Sequence, residues 1–153
     1  PGTRDLEEIE ALLEASVARQ MRSDVPVGAY LSGGLDSSYV AACAIRHTPQ
    51  RFETFTGAFH EGPEFDETPY AHAVATHIGA ASHTIWPTDR DFVDWLPKLI
   101  HHMDEPAAGP GLFPQFLVSQ AARSPSSPAA DPDATAGTSS GVLGTNASAV
   151  ITR

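Results

Sequence analysis

Cationic side chains are scarce in this sequence: nine Lys and Arg stand against nineteen Asp and Glu, a formal charge of −10. So acidic a balance excludes general nucleic-acid or membrane-surface binding, both of which select basic faces. It leaves room for a nucleotide, which helix ends and Mg²⁺ hold without a basic surface. Cysteine is nearly missing. Cys43 stands alone, which excludes an internal disulfide and fits a reducing compartment. Set among Ala41, Ala42 and Ala44, it reads as a small packing residue rather than a nucleophile. The chain shows no secretory leader and no apolar run long enough to span a bilayer, so the cytoplasm is the expected compartment. Gly-Lys-Ser/Thr is absent too, which excludes the phosphate loop of ordinary NTPases. Histidines are present but lack ligand spacing. His72 and His77 fall on different helical faces, and the neighbours His101 and His102 point apart, so no histidine metal site is expected. Trp86, Trp95 and Phe92 lack the basic setting of a base-stacking platform and read as core or interface residues.

What the chain does have is alternation. A length of 153 residues with 41% hydrophobic residues suits one globular domain. Leu6, Ile9, Leu13 and Val17 recur at helical spacing and predict an amphipathic helix from about Asp5 to Arg22, with Asp5 and Glu8 as a capping box. Val25 to Leu31 reads as a strand apolar on both faces, the pattern of a central parallel strand. A helix from Ser37 to His47 follows, ending before Pro49, then a strand from Phe52 to Phe59. A helix from Asp66 to Ile78 tolerates Pro69 in its first turn and stops at Gly79. Ser82 to Trp86 is a third strand. Thr88 and Asp91 cap a helix from Asp89 to Met103 whose apolar stripe is Phe92, Leu96, Leu99 and Met103. Pro97 predicts a kink or break in it. Leu112 to Arg123 reads as a last helix, interrupted near Pro114. The carboxylates Glu64, Asp66 and Glu67 read as a solvated helix start rather than an acid–base pair. The fold class is α/β, a parallel sheet with helices on both faces.

The most informative stretch is Leu31-Ser-Gly-Gly-Leu-Asp-Ser-Ser38, directly after the first strand. Glycines at 33 and 34 let backbone N–H groups turn inward where a Cβ would hinder them. The following helix aims its positive end at the same spot. Ser32, Ser37 and Ser38 add hydroxyl donors, and Asp36 supplies a carboxylate able to hold Mg²⁺ against phosphate oxygens. An ordinary Gly-Gly turn needs one or two of these residues, not all of them in order. The arrangement is that of a pyrophosphate cradle at the carboxyl end of a strand, where such sheets bind ligands.

Residues 124–153 differ in kind from 1–123. They hold six Ser, six Ala, four Thr, three Pro and three Gly, with no aromatic residue. That composition predicts a disordered tail. A natural flexible tail and a reading-frame shift near residue 123 both account for it.

The stretch Ser23-Asp-Val-Pro-Val-Gly-Ala-Tyr-Leu-Ser-Gly-Gly-Leu-Asp-Ser-Ser38 resembles the synthetase domain of glutamine-hydrolysing asparagine synthetases. The resemblance continues through Thr54-Phe-Thr-Gly-Ala-Phe59, Glu64-Phe-Asp-Glu67, Asp104-Glu-Pro106 and Phe113-Pro-Gln-Phe-Leu-Val-Ser119. The loop by itself marks only the wider class of ATP pyrophosphatases, which includes NAD, GMP and argininosuccinate synthetases and tRNA-thiolating enzymes; the flanks narrow it. A tRNA-thiolating enzyme would need catalytic cysteines beyond Cys43. The resemblance implies an adenine nucleotide alpha-hydrolase-like sheet and a two-step reaction. Aspartate's side-chain carboxylate attacks the α-phosphorus of ATP, giving β-aspartyl-AMP and pyrophosphate, and ammonia then displaces AMP. It implies ATP and Mg²⁺ as ligands, Ser32, Gly33, Gly34, Ser37 and Ser38 as the pyrophosphate cradle, Asp36 as a metal ligand, and Leu31 as a backbone contact to the adenosine. Gly57 matches a second nucleotide-contacting position; a plain strand-end glycine is the other reading.

Two departures qualify the resemblance. The family's amino-terminal glutaminase domain is expected to be missing, since Pro1-Gly2 directly precedes the synthetase helix. The family's strand ending in Gly-x-Gly-Gly-Asp-Glu is not found after Ser124, so the sheet is expected to be truncated before a central strand. The expectation is therefore an ATP-dependent amide ligase present as a fragment without full activity, poorly soluble and forming no detectable asparagine. The alternatives are a non-catalytic remnant that at most binds adenine nucleotide, or a relative of the beta-lactam synthetases.

Overall fold

The computed structural model describes residues 2–48, 51–59, 62, 66–103, 111–123 and 150–152. Pro49, Glu64, Phe65, the Asp104–Pro106 motif and residues 124–149 lie outside the described residues.

Helix α1 (Thr3–Gln20) starts two residues before the expected Asp5. Asp5 is thus the third helical residue, and its Oδ2 accepts the Gly2 N–H at 2.9 Å, so Glu8 is not the capping partner. Strand β1 (Val27–Tyr30) is shorter than expected. Pro26, just before it, brings no N–H to a ladder. Helix α2 (Leu35–Ala44) opens on Gly34 as N-cap and tightens into a 3₁₀ turn at Ile45–His47. Then follow β2 (Glu53–Gly57), α3 (Thr68–Ile78) and β3 (Ala81–Ile85). Pro69 sits in the first turn of α3, and the helix ends on Gly79 at φ 71°. Helix α4 (Asp89–His102) begins with the expected Thr88–Asp91 box: Asp91 N–H donates to Thr88 Oγ1 at 3.2 Å, and Thr88 N–H donates to Asp91 Oδ2 at 2.9 Å. Neither proline breaks its helix. Pro97 lies inside a continuous α4, and Pro114 falls in the first turn of α5 (Leu112–Ala122), where its missing N–H has no helical partner to lose.

The sheet order is β3-β2-β1-β4. β1, β2 and β3 are parallel, with Tyr30 opposite Phe55 and Phe55 opposite His83. Helices α2 and α3, the crossovers of a parallel sheet, cover one face over a core of Ala29, Leu31, Ala41, Cys43, Phe52, Ala71 and Ala75. Helices α4 and α5 cover the other, with Phe55, Val118 and Ala122 between α5 and the sheet. This is the α/β architecture expected. Residues expected in a disordered tail supply its fourth strand: β4 (Val150–Thr152) pairs antiparallel with β1, Val27 opposite Thr152. Three consecutive residues of β-branched type suit a strand, and the outer edge of β1 offers unpaired backbone groups to it. Among the described residues no helix is long and apolar enough to cross a membrane.

Candidate functional site

The parallel strands all end on one edge of the sheet, at Tyr30, Gly57 and Ile85. Leu31, 1% exposed, carries the chain off that edge, its N–H still donating to Phe55 O at 2.9 Å. Its carbonyl accepts the Thr56 hydroxyl at 2.7 Å. The next residues turn sharply. Gly33 has φ 84°, in the left-handed region that side chains disfavour, and a Cβ on it would lie 2.9 Å from the Ala71 nitrogen and 3.0 Å from the Glu67 carbonyl oxygen. The loop thus rests on the first turn of α3.

The serines knit this turn together. Ser32 N–H donates to Ser37 Oγ at 3.2 Å, and Gly34 N–H donates to Ser32 Oγ at 3.3 Å. Ser37 Oγ donates to Gly34 O at 3.2 Å. A hydroxyl has a single proton, so at the 2.9 Å contact between the two hydroxyls Ser32 Oγ is the donor. Ser38 Oγ also donates to Gly34 O, at 2.7 Å. The hydroxyls that the sequence suggests as ligand donors therefore shape the loop first. Ser37 is 7% exposed and acts as the hub; Ser32 is exposed and lies at the surface of the loop.

The loop also presents backbone donors. Gly34 caps α2 without a side-chain hydrogen bond, and among the described residues no side chain accepts from the first-turn N–H groups of Leu35, Asp36 and Ser37. These are the groups that carry the partial positive charge of a helix end. Asp36 stands exposed in the same turn. Among the described residues no group of three or more His, Cys, Asp or Glu side chains is assembled to hold a metal. A hard cation held by one carboxylate fits a site whose other ligands are phosphate oxygens and water, the coordination typical of Mg²⁺. By contrast, the first turn of α3 offers little: Thr68 N–H donates to Asp66 Oδ1 at 2.9 Å, Pro69 has no N–H, and Tyr70 N–H donates to Glu67 O at 3.1 Å.

Gly57 shares the carboxyl edge with the loop, but its side-chain direction runs to the opposite layer. A Cβ there would meet Val118 Cγ2 of α5 at 3.3 Å. Its lack of a side chain lets α5 approach β2, which is the packing use of a strand-end glycine. Tyr30 also faces that layer; its hydroxyl is hydrogen-bonded to Ser119 Oγ, and burial raises its pKa above the usual value, opposed by the bond to Ser119.

Two contributors escaped the sequence reading. One is Thr56, 3% exposed on the α2–α3 side of β2. The other is the Glu67–Ala71 turn that supports Gly33. A threonine two residues on from Thr54, on a strand adjacent to the loop-bearing one, was the available signal for the first. No local pattern signals the second, because the contact joins segments far apart in sequence.

A family model described as asparagine synthase matches residues 8–128. Asparagine synthetase (glutamine-hydrolyzing) 1 of Bacillus subtilis is 34% identical over 118 residues, covering 77% of this chain and 18% of that protein. A Mycobacterium tuberculosis sequence provisionally named asparagine synthetase (glutamine-hydrolyzing) is 47% identical over 117 residues, covering 76% of this chain and 18% of its own length. Asparagine synthetase (glutamine-hydrolyzing) 2 of Arabidopsis thaliana is 30% identical over 122 residues, or 72% of this chain and 21% of that protein. The chain spans about a fifth of the length of the curated relatives it matches. With its Gly-Gly and serine loop at the carboxyl edge of a parallel sheet, the chain belongs to the asparagine synthase family.

Proposed function

We propose that this chain is the nucleotide-binding part of an ATP-dependent amide ligase, holding the pyrophosphate half of ATP in the Ser32–Ser38 loop. The observation that carries the reading is the loop itself: a left-handed Gly33 turn delivering the uncapped first turn of α2 to the strand edge. Family membership supplies the reaction class. A carboxylate is a poor acyl donor until its oxygen gains a good leaving group. In the proposed step a carboxylate oxygen of aspartate bonds to the α-phosphorus of ATP. The bond from that phosphorus to the bridging oxygen breaks, and pyrophosphate leaves with the electron pair. Ammonia then displaces AMP from the acyl carbon.

Charge on the departing pyrophosphate is the main obstacle, and preorganised donors lower it. The N–H groups of Leu35, Asp36 and Ser37 are fixed before the ligand arrives. Asp36 would hold Mg²⁺, which supplies additional neutralisation of the phosphate oxygens when bound. Leu31, whose carbonyl already accepts one bond, keeps a second lone pair for a donor on the adenosine.

Calorimetric titration tests this reading with MgATP, magnesium pyrophosphate and AMP as separate ligands. MgATP and magnesium pyrophosphate should bind, AMP should bind more weakly, and Asp36→Asn should weaken only the magnesium-dependent part. Failure of the chain to bind either MgATP or magnesium pyrophosphate at millimolar concentration would refute it.

A further inference from the structure

We propose that Thr56 is a positioning residue for the phosphate-binding loop, acting through the Leu31–Ser32 peptide. The ligand half of this inference rests on the nucleotide-binding reading above; the loop half stands without it.

Strand alternation puts Thr56 on the same side of β2 as Phe52 and Thr54, away from Phe55 and α5. There it is 3% exposed and its hydroxyl donates 2.7 Å to the Leu31 carbonyl. That carbonyl belongs to the peptide unit whose N–H is Ser32. In a trans peptide the C=O and N–H point in opposite directions within one rigid plane. One end of the plane is therefore anchored in the sheet by Thr56, and the other, the Ser32 N–H, meets Ser37 Oγ at 3.2 Å. Leu31 N–H, held by Phe55 O at 2.9 Å, fixes the preceding unit as well.

Ser37 Oγ is where this matters. It takes the Ser32 N–H and the Ser32 hydroxyl and donates to Gly34 O. A rotation of the Leu31–Ser32 plane would swing the Ser32 N–H off the hub and loosen the Ser37 contact that holds the Gly34 carbonyl at the start of α2. Removing the Thr56 hydroxyl leaves a buried carbonyl short of its donor, and that penalty is relieved by such a rotation. A continuous chain of hydrogen bonds thus runs from the neighbouring strand to the N-terminus of α2.

Thr54 is the internal control. It is equally buried on the same strand face, but its hydroxyl lies 3.4 Å from Ala81 O, on the side of β3 and away from the loop. Amide hydrogen exchange of the ligand-free chain should show Thr56→Val accelerating exchange at Ser32 and Gly34 about tenfold, a factor matching the loss of one buried hydrogen bond. Thr56→Ser should restore protection, Thr56→Cys should be intermediate, and Thr54→Val should leave the loop unchanged even where it lowers Tm. Calorimetry on the same variants should show magnesium pyrophosphate binding weakened about tenfold in Thr56→Val and retained in Thr56→Ser. Unchanged loop exchange in Thr56→Val, or equal effects from Thr54→Val, overturns the inference. If Thr56→Val does not fold, equal loop exchange in Thr56→Ser and Thr56→Cys overturns it instead. Absence of ligand binding by the unmodified chain defeats the nucleotide reading alone, because loop exchange still decides the role of Thr56.

Discussion

Gly33 and Gly34 stand side by side in one motif but bear different constraints. Gly33 is left-handed at φ 84°, and a Cβ on it would lie 2.9 Å from a backbone nitrogen of α3, an atom that cannot swing aside. Gly34 has φ −70°, and a Cβ there would approach only Ser32 Oγ, at 3.4 Å. Gly33→Ala should therefore cost about 2 kcal/mol or more, combining left-handed strain with displacement of the α3 turn. Gly34→Ala should stay within about 1 kcal/mol of the parent, as an N-cap change from Gly to Ala does. Urea unfolding of the two variants separates them, and a larger loss for Gly34→Ala would contradict this account. Tyr30 gives a pH signature on the other face. Burial holds its phenol protonated above the ordinary tyrosine value of 10.0. Between that value and its folded pKa, the unfolded chain has released a proton that the folded one retains. Stability contributed by Tyr30 is thus complete below pH 10.0 and is lost as pH rises through the folded pKa. Tyr30→Phe should flatten the alkaline fall in unfolding free energy, and an unchanged slope would place the ionisation elsewhere.

Helix and strand identities follow from local chemistry, and their limits follow from specific neighbours. The strand–loop–helix unit around Ser32–Ser38 was legible because glycines, serines and a preceding apolar run all point one way. Its helix starts at Leu35 rather than Ser37 because Gly34 adopts the N-cap conformation, which spacing alone does not reveal. Thr56 was not legible as a loop residue, since its hydroxyl contact spans two strands that pair only in the folded sheet. The apolar stripe of α1 was legible as a stripe, yet Val17 is its one buried member; periodicity marks a face and is silent on what covers it. Pro97 shows tertiary context overriding a local breaker. Its position within α4 denies the helix one backbone bond, at Val93, and that helix stays continuous through packing of Leu99 against Phe113 and Leu117. Because Pro97 is exposed and not part of that cluster, Pro97→Ala should stabilise the chain by about 1–3 kcal/mol. Denaturant midpoints would show it, and a lower midpoint would mean that the packing of α4 requires Pro97 itself.

Two opposing features govern how whole molecules meet. Helix α1 leaves Leu6, Ile9 and Leu13 exposed at 56%, 52% and 43%, with Leu12 at 63% beside them. Burying such side chains against a second copy is favourable by roughly 25 cal/mol per Å² of apolar area. The same helix carries Asp5, Glu7, Glu8, Glu10 and Glu14, on a chain of formal charge −10. Like charges on two approaching copies repel, and that repulsion is screened within about 10 Å at 0.1 M salt, while apolar burial is not weakened by salt. Association should therefore strengthen as salt is added, the opposite of an interface held by ion pairs. Sedimentation velocity across a salt series would register this as a rising weight-average mass. The triple variant Leu6→Gln, Ile9→Gln, Leu13→Gln should remain monomeric throughout, since glutamine keeps helix propensity and removes the apolar stripe. Strand β3 offers a second route, because it is an edge of the described sheet. Thr84→Lys, a charge on that edge, serves as the comparison. Association that survives the α1 triple variant and disappears in Thr84→Lys would move the contact from the helix to the sheet edge. Association that weakens with salt would exclude both, because neither a shielded like-charge pair nor an apolar or strand-edge contact gains from low ionic strength.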